Sequence, residues 1–328
     1  MSGARQQQRG MALISVLMLV AVMGVLTAAA LETINHSLRI TGNARSSMQA
    51  RYFALGAEQL AIRRLESLVA ASGNRVTLAG GWNGARYQLP TDVGTLSARV
   101  ADGGNCFNLN SLVDGADAIS LRRRARGVEQ FVALAIALGA PQADARRAAD
   151  GIVDWIDADS VPSPLGGEDA QYARGKTAYL PANTLLAEAS ELRAIAGVGP
   201  GLYELLRPWV CTLPTTEMSP INVNTLSPAE APLVAMLLPG RLTIDAARQV
   251  LAARPAGGWE SMLDFWRNPA FANVQPSSAE LEQPKLTTRY FSVETQVSGD
   301  GFDARQSALL DIVPGRSRVV ARRWTTEE

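Results

Sequence analysis

Histidine and lysine are almost missing from this chain. His36 is the single histidine in 328 residues, and it falls in a helical pattern just after a long apolar run. One imidazole excludes histidine-rich zinc sites, and in that place it argues against a Ser-His-Asp hydrolase; it reads as an interfacial side chain. Lys176 and Lys285 are the only lysines, and acidic and basic residues balance at 31 each. No net positive field points to a nucleic-acid partner. Cysteine is confined to Cys106 and Cys211. The length is roughly twice a typical domain, so a second core is expected beyond any anchor.

What is present begins with Arg9 to Leu31, in which an arginine and a glycine lead into a run without charge. From Met11 to Leu31 about 21 residues, at about 1.5 Å each, reach the roughly 30 Å of a bilayer core. Arg5 and Arg9 precede the run and the first acid after it is Glu32, so the positive-inside rule keeps the N-terminus cytoplasmic and exports the rest. A cleaved secretory signal ending near Ala28-Ala29-Ala30 is the competing reading. The run exceeds the usual h-region, however, and Glu32 to Ala71 continues the helical spacing through Ile34, Leu38, Met48, Tyr52 and Leu55 without a turn.

A short basic leader ending in Gly10, followed by one unbroken helix, resembles the class III signal of type IV pilins and pseudopilins. The resemblance implies cleavage by a prepilin peptidase between Gly10 and Met11 and N-methylation of Met11. Most pilins carry glutamate as the fifth mature residue; here that place is Ser15. Its lack is characteristic of the K-type minor pseudopilins of type II secretion. Membership there would imply a non-enzymatic subunit at the tip of a periplasmic pseudopilus, associated with I-type and J-type minor pseudopilins above a fibre of major pseudopilin.

Beyond the helix, short strand patterns at Arg75 to Leu78, Ala85 to Leu89 and Leu96 to Val100 are broken by glycines. A helical composition then lasts to about Gln283, after which Tyr290 to Val297, Ser307 to Val313 and Arg318 to Trp324 read as strands, the first two linked by Ser298 to Gly301. The expected class is α+β: a pilin-like long N-terminal helix on an antiparallel sheet, with a large all-α domain inserted between its strands. The expected divisions are leader 1–10, membrane helix 11–31, periplasmic helix and first strands 32–102, inserted domain 103–284 and closing strands 285–328. In an oxidising compartment Cys106 and Cys211 can pair, closing a loop worth about 4 to 5 kcal/mol in the chain-entropy model; two unrelated buried thiols are the alternative.

Inside the insertion Asn108-Leu109-Asn110-Ser111-Leu112 is echoed by Asn222-Val223-Asn224-Thr225-Leu226, a phrase suited to capping helices. Leu185 to Val210, around Gly197 to Gly201, and Pro228 to Ala253, around Pro239-Gly240, resemble helix-hairpin-helix modules. That offers a second function, an exported DNA-binding or uptake protein, but Glu191, Arg193 and Glu204 around the first hairpin make a poor phosphate site.

The sharpest chemical cluster is Asp154, Asp157, Asp159, Glu168 and Asp169. Alternate aspartates put oxygens on one side of a loop, and calcium takes six to eight of them. Counting from Asp157, Glu168 holds the twelfth EF-hand place, but Pro162 replaces the glycine and Val161 a ligand. K-type pseudopilins bind calcium in the inserted domain, and the resemblance places that site here, with Asp157, Asp159 and Glu168 foremost. A solvated acidic loop is the plain alternative. A paired-carboxylate hydrolase is disfavoured because the cluster is too local to flank a substrate.

Overall fold

The structure, a computed structural model, describes residues 3–174, 178–299 and 302–325, with side chains from residue 13 onward. Lys176, Asp300 and Gly301 therefore lie outside the described residues, as do the side chains of Arg5, Arg9, Gly10 and Met11. In chain order the elements are α1 (Gly3–Ser72), β1 (Arg86–Thr91), β2 (Gly94–Asp102), β3 (Phe107–Asn108), β4 (Val113–Asp114), β5 (Arg122–Arg123), α2 (Ala125–Ala137), α3 (Gln142–Ile156), α4 (Asp169–Tyr172), α5 (Pro200–Leu206), β6 (Val210–Cys211), α6 (Ala231–Ala235), α7 (Ile244–Ala252), α8 (Met262–Trp266), α9 (Ser278–Glu282), β7 (Tyr290–Gly299), β8 (Phe302–Val313) and β9 (Arg316–Thr325).

Helix α1 runs 70 residues because nothing in it breaks a helix: the first proline of the chain is Pro90. Its second half packs, whereas residues 13–45 do not. Ala50, Ala54, Ala57, Ala61, Leu65 and Val69 are buried at three- and four-residue spacings, a stripe that lies on the sheet against Leu96, Val100, Phe291, Val293, Val297 and Leu310. Among them the buried Glu58 receives both Arg322 nitrogens at 2.8 and 2.6 Å, tying helix to sheet by a bidentate pair.

The sheet is antiparallel in the order β1-β2-β7-β8-β9. Its pairing of β2 with β7 is the point where the chain leaves for the insertion and returns. Gly103 N–H donates to Tyr290 C=O at 2.9 Å, and a Cβ at Gly103 would sit 2.9 Å from Ser292 N, so the two ends meet too closely for a side chain there. Half-buried Asp102 clasps the junction, accepting Thr225 Oγ1 at 2.7 Å, Thr288 Oγ1 and Gly104 N–H at 2.9 Å.

Three expectations need correction. Residues 75–78 form no strand: Val76 N–H goes to Leu286 C=O at 2.7 Å and Val76 C=O takes the Asn222 amide at 3.0 Å, so this backbone is satisfied by the insertion rather than by a sheet neighbour. The insertion is not all helix; β3 pairs in parallel with β6, and β4 pairs with β5. Residues 185–195 give only a 3₁₀ turn at Ala189–Ala194, opened by a Glu188/Glu191 capping box, because the backbone of Leu186 is held extended by the Asn110 side chain.

The insertion is instead two copies of one unit sharing one core. In each, the first asparagine of the phrase accepts from the amide of the second, Asn110 N to Asn108 at 3.2 Å and Asn224 N to Asn222 at 2.9 Å. Ser111 Oγ then donates back to Asn108 C=O at 2.6 Å, while Thr225 Oγ1 lies 3.1 Å from Asn222 C=O with its proton given to the Asp102 carboxylate. Two helices follow, α2 and α3 in one copy and α6 and α7 in the other, turning at Gly139 (φ 102°) and Gly240 (φ 69°). The second asparagine next holds a distant backbone segment, Asn110 that of Leu186 and Asn224 that of Trp259, each giving and receiving one bond. A parallel pairing closes each unit, β3 with β6 and Asn222 with Lys285.

Candidate metal centre

Two turns of α3 start the site, since Asp150 and Asp154 are four residues apart and share a buried face. Asp157 stands at the end of the helix, where the backbone turns extended (φ −68°, ψ 168°). The chain then folds back over that end. Ser163 N–H reaches both Asp154 oxygens at 3.0 and 2.9 Å, and Leu165 N–H reaches Asp150 Oδ2 at 3.1 Å. Gly166 presses against the same carboxylate, where an added Cβ would lie 2.1 Å from Asp154 Oδ2. This return brings Glu168, just before α4, to the helix end.

Asp154, Asp157 and Glu168 thereby each place an oxygen within 4.8 Å of the other two. All three are buried. Asp157 Oδ1 and Glu168 Oε1 meet no hydrogen-bond partner. Burial first, then repulsion from Asp159, Asp154 and Glu168, pushes the Asp157 carboxyl up to about 7. Glu168 rises to about 7 from burial and from Asp154, Asp159 and Asp169. Burial also raises Asp154, against the lowering bonds from Ser163. The nearest relief, Arg123, is spent on Asp150 at 2.7 Å. Orphaned oxygens on a compact, purely carboxylate donor set suit a hard divalent cation of the calcium class.

The expected ligands divide. Asp154, Asp157 and Glu168 converge, whereas Asp159 is exposed and its Oδ1 takes Val161 N–H at 2.8 Å. Asp169 is exposed in the first turn of α4 and reaches the cluster only through its charge. Asp150 was not expected; its four-residue spacing to Asp154 was the available signal. Of the remaining positions, Cys106 and Cys211 are bridged with Cα atoms 5.8 Å apart, within ordinary disulfide geometry. Ser15 lies on the exposed first half of α1, as does His36.

The family models that match this chain fall on the inserted units. A family described as type II secretion system (T2SS), protein K matches residues 105–215, and a second part of it matches residues 221–288. Type II secretion system protein K of Klebsiella pneumoniae is 34% identical over 98% of this chain and 99% of its own length. The chain belongs to the type II secretion system protein K family. The protein of that name from Pectobacterium carotovorum subsp. carotovorum is 32% identical over 98% of this chain and 97% of its own. Among solved structures, a chain of the GspK-GspI-GspJ complex from the enterotoxigenic Escherichia coli type 2 secretion system aligns at TM-score 0.77 and 28% identity, covering 88% of this chain and 99% of that one. The α+β fold and the minor-pseudopilin role expected from the sequence both hold. The family is a structural part of the secretion apparatus, and among the described residues one helix, near the N-terminus, is long and apolar enough to cross a membrane.

Proposed function

We propose that this minor pseudopilin caps the periplasmic pseudopilus, promoting assembly and limiting length while folded proteins cross the outer membrane. The observation that carries the reading is the unpartnered half of α1. From residue 13 to 45 the helix is exposed throughout, and apolar side chains continue past the membrane-length run with Ile34, Leu38 and Ile40. A helix apolar beyond the bilayer needs neighbouring helices to cover it, as I-type and J-type minor pseudopilins and the major pseudopilin fibre would.

The membrane helix keeps the N-terminus cytoplasmic and the rest periplasmic, after a prepilin peptidase cuts between Gly10 and Met11 and methylates Met11. A calcium ion held by Asp154, Asp157 and Glu168, with Asp159 and Asp169 contributing charge, stiffens the first inserted unit. The part played by Ser15 follows from its place: without a carboxylate there, the subunit makes no charge contact to one above it, and the bulk of the insertion opposes repetition along a shaft. Overproduction should shorten pseudopili and deletion lengthen them, read by electron microscopy, with Ser15→Glu only mildly perturbing. Labelled protein along the whole shaft, or length indifferent to dose, would sink the reading.

A further inference from the structure

The outer face of the five-stranded sheet, opposite α1, is polar and roofed without being packed. Cross-strand register sets Arg86, Arg99, Glu294, Ser307 and Arg323 directly opposite one another, one from each strand. Above this ladder runs the stretch from Glu188 to Arg207 of the first inserted unit. Floor and roof are joined at one end by Arg323, which pairs with Glu188 at 2.6 Å and donates to Ala187 C=O at 2.6 Å. Between them lies a cleft of 1260 Å³, larger than the roughly 300 to 1,000 Å³ of small-molecule pockets.

Six arginines and three glutamates line it. Two of those glutamates are already matched, Glu188 by Arg323 and Glu294 by Arg99 at 3.7 Å, and Arg305 holds Asp303 at 3.0 Å. Among the described residues Arg86, Arg193 and Arg207 have no ion-pair partner, and all three are exposed. Arg193 lies 5.9 Å over the Tyr203 ring, which orients it. They sit on both walls, Arg86 on the floor and the other two on the roof.

From this we infer that the cleft is a docking site for an extended, acidic peptide segment of a partner protein. Guanidinium forks on two walls match carboxylates bidentately. The side chains between them, Ser97, Gln296, Ser307 and Thr325, both donate and accept, as a peptide backbone requires. A phosphate polymer fits less well, because glutamates interrupt the arginines and the local excess of positive charge is small. The surface is independent of the metal centre and of the fibre-facing helix.

The test is fluorescence anisotropy on the full chain in detergent micelles with calcium. The probe is a short labelled peptide in which Asp and Glu alternate with Ser and Gly. Binding should weaken with salt, and Arg193→Glu with Arg207→Glu should lower affinity about tenfold or more. Arg86→Ala, on an exposed edge strand, should lower it several-fold and serves if the double variant misfolds. Arg248→Glu, exposed on α7 outside the cleft, should leave it unchanged. Equal binding of a peptide with Lys in place of the acids, tighter binding of a single-stranded oligonucleotide, or equal loss in Arg248→Glu would each overturn the inference, as would no binding of the acidic peptide.

Discussion

The two units of the insertion are built to one plan and secured differently. Both open on an asparagine phrase, turn two helices at a positive-φ glycine and close by a parallel pairing. The second closes economically. Residues 253–258 lead from α7 to the backbone that Asn224 holds, and Lys285 completes the pairing with hydrogen bonds alone, its N–H to Ile221 C=O at 2.7 Å and its C=O from Val223 N–H at 3.1 Å. The first spends residues 157–185 on the same connection. That excursion carries the acidic centre, and its closing strand is bolted by the Cys106–Cys211 bridge. Two residues before the phrase, Cys106 in the first unit stands where Pro220 stands in the second. A long excursion costs loop-closure entropy, and the covalent fastening is found in the unit that carries that excursion, whereas the second unit is held by side-chain pairs such as Arg241 with Glu280.

The sharpest way to break this comparison is to remove the bolt. Cys106→Ser with Cys211→Ser should lower stability by about 4 kcal/mol, read as a fall in the urea midpoint. Amide exchange should rise first in residues 105–215 and later in 221–288. Equal loosening of both units would mean that the bridge does not serve the first unit alone.

Chelation should come next. A cation present at 100 times its Kd adds about 2.7 kcal/mol, so removing it should lower the Tm, and Asp157→Ala with Glu168→Gln should abolish that difference. Metal-free protein gives the complementary sign. Folded Asp157 and Glu168 titrate near 7, above the unfolded values of 3.8 and 4.5. The folded state thus binds protons more tightly, with its advantage complete below about 4 and lost as pH rises through 7. Metal-free Tm should therefore be higher at pH 5 than at pH 8, and the cation should reverse the order. A Tm insensitive to chelator at both pH values would leave the acids as a solvated loop.

The smallest effect sharpens the equivalence itself. Asn110→Ala and Asn224→Ala each strand buried backbone groups, at about 2 kcal/mol apiece by urea unfolding. Asn110 should cost about 1 kcal/mol more, because its amide also serves Leu213 C=O at 2.9 Å, whereas that of Asn224 serves only Trp259. Identical losses would argue that the extra bond carries no net weight.

Much of this was legible before any coordinates. The unbroken α1 follows from apolar spacing and the absence of proline, and the five sheet strands from alternation punctuated by glycine. The repeated asparagine phrase is visible in the sequence as a capping device; that it opens two related units emerges from the structure. Over 185–210 the strong turn signals Gly197 and Pro200 point to a helix-turn-helix, and the structure gives a 3₁₀ turn followed by α5; the alanine-rich pair α2 and α3, joined by a quieter Gly139, carries no such signal.

What the amino-acid order determined alone is what depends on neighbours in the chain: helix length, strand identity, capping phrases and the concentration of acids after α3. Tertiary structure decided which distant groups meet. It set Glu168 rather than Asp159 beside Asp154 and Asp157, placed β2 against β7 across the whole insertion, and gave Val76 to the insertion instead of the sheet. It also roofed the arginine ladder with residues from another unit. The physical reason is that backbone and side-chain periodicity act over a few residues, whereas these contacts are selected by packing and hydrogen-bond satisfaction between segments that carry no local mark of one another.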